Sequence, residues 1–181
     1  MAERTIVVDH MRLTYEGLFD VNELYKTIDE WLRSKGYDKK EVKNMEKTTA
    51  EGKYIELVLE PWKKITTYAK NVIRMRIIMS DIKEVEVEKE KAKIKLNQGK
   101  VQIVFDGFFE TDYENRWETK PIYYFFRTIF NKYFYGFYTD AYKKNILGDV
   151  NHLHSIIKSF LNLYRYSAES WTNPSVQGNR P

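Results

Sequence analysis

The stretch KEVEVEKEKAKIKL, residues 83–96, alternates charged and apolar side chains. A helix would place apolar residues three and four positions apart, whereas these recur at every second position, which is the period of a β-strand. The parity changes in the middle, which predicts a hairpin with a two-residue turn at Lys89-Glu90. This register sets Val85 opposite Ile94 and pairs glutamates with lysines on the other face. A nucleic-acid patch is disfavoured here because the acids neutralise the lysines at close range.

The 181-residue chain is long enough for one domain with a buried core, and its 43% hydrophobic and 31% charged residues are ordinary for a soluble globular protein. It has no cysteine, which excludes disulfides and cysteine-ligated metal centres. The N terminus lacks a signal-peptide pattern, and no apolar run is long enough to span a bilayer. These features predict a cytoplasmic protein. Lys/Glu ladders and the lack of cysteine are also typical of thermophilic proteins.

The N-terminal part reads as a strand followed by a helix. Residues 5–15 are rich in β-branched side chains and predict a first strand. Asp20 is placed to cap the helix that follows, and Gly36 is placed to end it in a left-handed conformation. Residues 38–53 have no stable period and predict a loop or a ragged edge strand.

A block of strands follows. Alternation predicts strands over residues 53–60 and 65–80, then the hairpin described above. A second turn is expected at Asn97–Lys100, after which a long strand continues from residue 101. Two helices are then expected, over 121–142 and 150–165, with Asp149 capping the second.

Strands in a block followed by helices indicate an α+β fold. We expect a curved antiparallel sheet of about five to six strands, with one helix after strand 1 and two C-terminal helices packed on it. Residues 1–166 would form this single domain, and 167–181 a flexible polar tail. In layout this is similar to a helix-grip arrangement, in which a sheet wraps a C-terminal helix.

Catalytic signatures are absent, so an enzyme is not the favoured class and no cofactor or metal site is expected. His152 and His154 would face different directions on a helix, and His10 would point to the opposite strand face from Asp9. The nearest approach to paired carboxylates is a set that shares strand parity and reads most simply as a solvated face: Glu110, Asp112 and Glu114.

Residues 61–80, PWKKITTYAKNVIRMRIIMS, contain five cations and no acid. Alternation puts four of the cations on one face together with two aromatic rings. Such a face suits a single-stranded nucleic acid, because cations neutralise phosphates and rings stack on bases. Alternatively, neighbouring glutamates pair with these cations. The candidate nucleic-acid or anion-binding residues are Trp62, Lys64, Tyr68, Lys70, Arg74 and Arg76.

Residues 121–142 hold eleven aromatic side chains and are apolar nearly all round. A helix of this kind is a core element or subunit interface, the wall of a ligand cavity, or a membrane contact. We expect most of the rings to be buried within the monomer. The candidate cavity or interface residues are Phe126, Phe130, Tyr133, Phe137 and, from the tail, Trp171.

Three functions are compatible with these features. The first is a non-enzymatic module that binds nucleic acid or a ribonucleoprotein through the basic and aromatic sheet face. The second is a helix-grip-like cavity protein that binds an apolar small molecule. The third is a self-assembling structural protein, a homo-oligomer formed through the aromatic helix or the C-terminal tail.

Overall fold

The computed structural model describes residues 3–50, 52–67, 69–89, 92–111 and 136–172. Six strands and two helices follow one another along this part of the chain. Their bounds are β1 Glu3–Phe19, α1 Val21–Ser34, β2 Glu41–Thr49, β3 Gly52–Leu59, β4 Trp62–Lys64, β5 Ala69–Lys89, β6 Ala92–Thr111 and α2 Gly136–Thr172.

The six strands form one antiparallel sheet. Five of them lie in the order β1-β6-β5-β3-β2, and the short β4 pairs with β5 outside this order. The predicted α+β class and strand number are confirmed. The sheet is open, with β1 and β2 as its edges, which is compatible with the predicted curvature. The region that reads as a loop or edge strand is the edge strand β2.

Both helices pack on the same face of the sheet, termed the helix face. Alternate residues of the central strands are buried there, such as Ile73–Met79 of β5 and Val101–Phe105 of β6 at every second position. The intervening residues form the opposite face, termed the distal face, which carries Arg74 and Arg76. The burial of every second residue of β5 and β6 therefore determines which side chains face the helices and which lie on the distal face.

The caps of α1 are those that the sequence predicts. The Asp20 carboxylate accepts the backbone N–H groups of Asn22 and Glu23, at 2.8 and 3.1 Å. Gly36 follows the helix with φ of +71°, a conformation that is cheap only for glycine. Four apolar side chains on one stripe are buried against the sheet and α2: Leu24, Ile28, Trp31 and Leu32.

The pairing of the two strands over residues 83–96 is confirmed, but each residue pairs two positions further along β6 than predicted. Lys89 pairs with Ala92, and Val85 stands opposite Leu96 rather than Ile94. Lys95 nevertheless bonds Glu84, at 2.7 Å, because the diagonal neighbour is within reach of a long side chain.

The prediction of a second turn at Asn97–Lys100 is wrong. Strand β6 continues through these residues and pairs with β1 on one side and β5 on the other. Gly99 serves close packing instead. A Cβ there would lie 2.5 Å from the Ile82 side chain and 2.9 Å from the Ser80 carbonyl oxygen. On β5 the continuity is kept by a bulge at Asp81, whose φ is +58°.

The expected helix break before residue 150 is also wrong, because α2 runs unbroken from Gly136 to Thr172. Asp149 is not a cap. Its carboxylate accepts the Tyr37 hydroxyl at 3.0 Å and lies 3.6 Å from the Lys35 ammonium group. Burial and this carboxylate both raise the pKa of Tyr37, so the phenol remains a proton donor.

A second polar contact joins the helices. The Trp31 indole donates to Nδ1 of His152 at 2.9 Å, and the Trp31 ring stacks on Tyr37 at 5.8 Å.

Helix α2 continues beyond residue 166, where the sequence predicts the end of the domain. Residues 173–181 of the predicted tail lie outside the described residues, as does most of the aromatic segment 121–142.

Replacing Asp20 by alanine should lower the free energy of unfolding by about 1 kcal/mol, because two backbone N–H groups lose their acceptor. Urea denaturation monitored by circular dichroism would measure this loss. Glu30→Ala, an exposed change on the same helix, should stay within about 0.5 kcal/mol of the wild type. Equal stabilities of the two variants would contradict the capping role.

Candidate ligand groove and charged sheet face

A groove of about 540 Å³ lies between α1 and the helix face of the sheet, beside the edge strand β2. Its volume is within the usual range for small-molecule sites. Its base is formed by alternate residues of β3, namely Ile55, Leu57 and Leu59, all of which are buried. The groove exists because α2 packs on β1, β5 and β6, which leaves α1 to cover the sheet beside β2.

The wall formed by α1 combines an apolar stripe with polar side chains, among them Asn22 and Asp29. Val21, Tyr25 and Ile28 recur along one stripe of the helix and line the groove. Burial raises the pKa of Tyr25 to about 12, and the charges of Glu46 and Glu41 act in the same direction. The Tyr25 hydroxyl is therefore a neutral hydrogen-bonding group at physiological pH.

Charged side chains form the rim. Three lysine–carboxylate pairs stand around it: Lys39–Asp29 at 3.3 Å, Lys53–Glu46 at 3.1 Å and Lys95–Glu84 at 2.7 Å. The Lys95 hydrogen bond lowers the pKa of Glu84. Asp20 and Glu41 add two further carboxylates, so five acids face three lysines and the lining carries a formal charge of −2.

The predicted basic residues share the distal face, and three of them, Lys70, Arg74 and Arg76, are paired with carboxylates. Arg76 lies 3.0 Å from Glu56, which also bonds Lys43 at 2.6 Å. The Glu56 side chain is only 7% exposed. Hydrogen bonds from Lys43 and Arg76 lower its pKa, so it is held as a carboxylate.

The other cations of this face behave similarly. Arg74 lies 3.5 Å from Glu60, and Lys70 lies 2.9 Å from Glu110 and 5.9 Å from the Trp62 ring centre. Lys64 is exposed at the end of β4. Tyr68 lies outside the described residues. The period-two alternation of the sequence thus correctly predicts that these side chains share one sheet face. Their ion pairs with glutamates neutralise much of the positive charge.

Of the acidic strand residues, Glu110 is on the distal face and is bound by Arg4 at 3.1 Å in addition to Lys70. Asp112 and Glu114 lie outside the described residues. So do Phe126, Phe130 and Tyr133 of the predicted aromatic cavity, and the side chains of Phe137 and Trp171 in α2.

The structure separates His152 from His154, as expected: the first accepts from Trp31 and the second packs edge-on against Phe105 at 5.8 Å. The expectation for His10 is wrong. Its φ of +49° turns the ring toward Asp9, which Nδ1 contacts directly, instead of to the opposite face.

The sequence does not predict the groove, because its base and its helical wall carry the same apolar periodicity as ordinary core. The sequence feature that could have indicated the groove is the composition of β2. Its apolar and polar residues alternate poorly, and apart from Met45 they remain exposed on both faces. A strand that contributes almost nothing to the core leaves the neighbouring helix partly uncovered.

Comparison with protein-family models, with curated proteins and with solved structures finds no match for this chain. In the described part of the chain, no helix combines the length and the hydropathy needed to cross a membrane.

Replacing Glu56 by glutamine should destabilise the protein at neutral pH and flatten the acid side of its stability profile. A carboxylate whose folded pKa lies below its usual 4.5 stabilises the fold above that value, and the contribution is lost as the pH falls through the folded pKa. Wild-type and variant free energies of unfolding should therefore converge with falling pH. Glu30→Gln should run parallel to the wild type, and parallel curves for Glu56→Gln would contradict this account.

Proposed function

We propose that this protein binds a small amphiphilic molecule in the groove between α1 and β3, with the apolar part of the ligand at the base and a cationic or neutral polar group at the rim. The observation that supports this proposal most directly is the groove itself, with its aliphatic base, its tyrosine and its charged rim. A helix-grip protein likewise holds its ligand between a helix and an antiparallel sheet, but there the sheet wraps a C-terminal helix, whereas this groove lies under α1.

The composition of the groove favours an amphiphile over a purely apolar ligand. Ile55, Leu57 and Leu59 offer aliphatic contact at the base, where a ligand displaces water at a gain of roughly 25 cal/mol per Å² of apolar surface. Tyr25 offers a neutral hydroxyl on the wall formed by α1. Lys and Glu side chains surround the opening, where a polar group of the ligand would remain solvated.

The charge of the rim favours a cation. Each lysine of the lining is paired with a carboxylate, whereas Glu41 and Asp20 are additional acids. An anionic head group would have to displace one of these pairs, while an ammonium group would be attracted by the surplus carboxylates. Fatty acids and phosphate esters are therefore the disfavoured ligands.

A titration with the neutral dye N-phenyl-1-naphthylamine would detect the groove by fluorescence enhancement. Leu57→Trp should fill the base and weaken dye binding at least about tenfold, which corresponds to roughly 1.4 kcal/mol. Leu163→Trp introduces the same ring at an exposed position of α2 and should leave the affinity unchanged. Equal affinities for the wild type and Leu57→Trp would refute binding in this groove.

Displacement of the dye tests the preference for head groups. Dodecyltrimethylammonium, dodecanol and dodecyl sulfate, each below its micellar concentration, share one chain length and differ only in charge. The cationic competitor should be the strongest and the anionic one the weakest. Glu41→Lys should reduce this preference at least about tenfold, whereas Glu16→Lys, the same change outside the groove, should preserve it.

Nucleic-acid binding at the distal face is the second candidate, and the side-by-side position of Lys70 and Trp62, with Lys64 near the end of the same hairpin, favours it. The exposed Lys64 is the better residue to change, because Arg76 neutralises the buried Glu56 and its loss would also affect folding. Lys64→Glu should weaken single-stranded RNA binding and reduce its salt dependence. No RNA binding by the wild type at low salt would eliminate this candidate.

A further inference from the structure

The strand β1 contains a local irregularity opposite one residue of β6. Val8 pairs with Gly107 and Met11 pairs with Phe105, so two residues, Asp9 and His10, stand against Asp106 alone. This two-against-one arrangement is a β-bulge. His10 has a φ of +49°, in the left-handed region that a non-glycine residue seldom adopts.

The bulge brings three side chains together that a regular strand would keep apart. Nδ1 of His10 contacts Oδ1 of Asp9 and lies 3.6 Å from Oδ1 of Asp106. The same Asp106 oxygen accepts the His10 backbone N–H at 2.8 Å, which holds β1 and β6 in this geometry. One ligand atom from each of the three side chains lies within 4.8 Å of the other two.

We propose that Asp9, His10 and Asp106 form a binding site for a divalent first-row transition-metal ion such as Zn²⁺. Imidazole nitrogen and carboxylate oxygen are ordinary zinc ligands. Two donors bound to one zinc ion at about 2.1 Å, with a tetrahedral angle between them, lie about 3.4 Å apart, close to the observed separation of the His10 and Asp106 atoms.

The surroundings of the cluster fit a partly open site. Asp106 is anchored, with a side chain 16% exposed, whereas Asp9 and His10 are 69% and 64% exposed and can rotate onto an ion. Solvent reaches the remaining coordination positions. Across the sheet, the register partner of Asp106 is Arg74, whose guanidinium group is paired with Glu60 at 3.5 Å. Two carboxylates therefore face one imidazole, an excess of negative charge that a divalent cation would offset.

A zinc titration in competition with a chromophoric chelator tests the site. The wild type should bind one zinc ion per chain at this site, and the thermal midpoint should rise with zinc because only the folded chain brings these residues together. Asp9→Asn, His10→Asn and Asp106→Asn should each weaken this binding at least about tenfold. Asparagine tolerates the left-handed conformation at position 10, and at position 106 it keeps an oxygen for the His10 backbone N–H.

Glu16→Gln, an exposed carboxylate of the same strand outside the cluster, is the matched control and should bind zinc like the wild type. Mn²⁺ added to the unmodified protein should broaden the NMR signals of residues 8–11 and 105–107 before others, a test that needs no variant to fold. Zinc binding that is equal in the wild type and the Asp106→Asn variant, or broadening centred elsewhere, would overturn the proposal and leave the cluster as an ion pair between strands.

Discussion

The pairing of β5 with β6 is the constraint on which the rest of the structure depends. The two strands are neighbours from Ala69 and Thr111 at one end to Lys89 and Ala92 at the other, and β1, β3, β4 and the long C-terminal helix α2 pair with them or pack on them. Their helix-face residues, among them Met75, Ile77 and Phe105, are completely buried. Since the side chains of a strand alternate, burying this set on one face commits the intervening set, with its arginines, to the other.

This division separates two kinds of chemistry. On the distal face, cations from β5 are matched by acids from β3 and β6, and the most buried example is Glu56 between Lys43 and Arg76. Such a pair is costly to break because one partner would remain buried and uncompensated. The cations of this face thus contribute to strand register as well as to any surface charge.

On the helix face, the two helices do not share the sheet evenly. The long α2 covers the strands from β1 to β5. Trp31–His152 holds α1 to it, and the Tyr37 hydroxyl on Asp149 holds the segment that follows α1. In the described part of the chain, the side beside β2 is covered by one stripe of α1, and the groove lies there. The groove and the bulge of β1 are on opposite faces of the sheet, so the proposed ligand and metal sites are independent of each other.

Local rules determined much of this protein from the sequence: the α+β class, the antiparallel sheet, the caps of α1 at Asp20 and Gly36, and the grouping of Arg74 with Arg76. These depend on periodicity and on contacts between near neighbours, which the sequence displays directly. Only the tertiary structure decided that Asn97–Lys100 is strand, that Asp149 lies within a helix, and that His10 turns toward Asp9. In each case a distant partner, namely β1 for β6, Tyr37 for Asp149 and Asp106 for His10, outweighs the local preference. The groove has the same origin, since it depends on which strands α2 leaves for α1 to cover, and its one trace in the sequence is the poor alternation of β2.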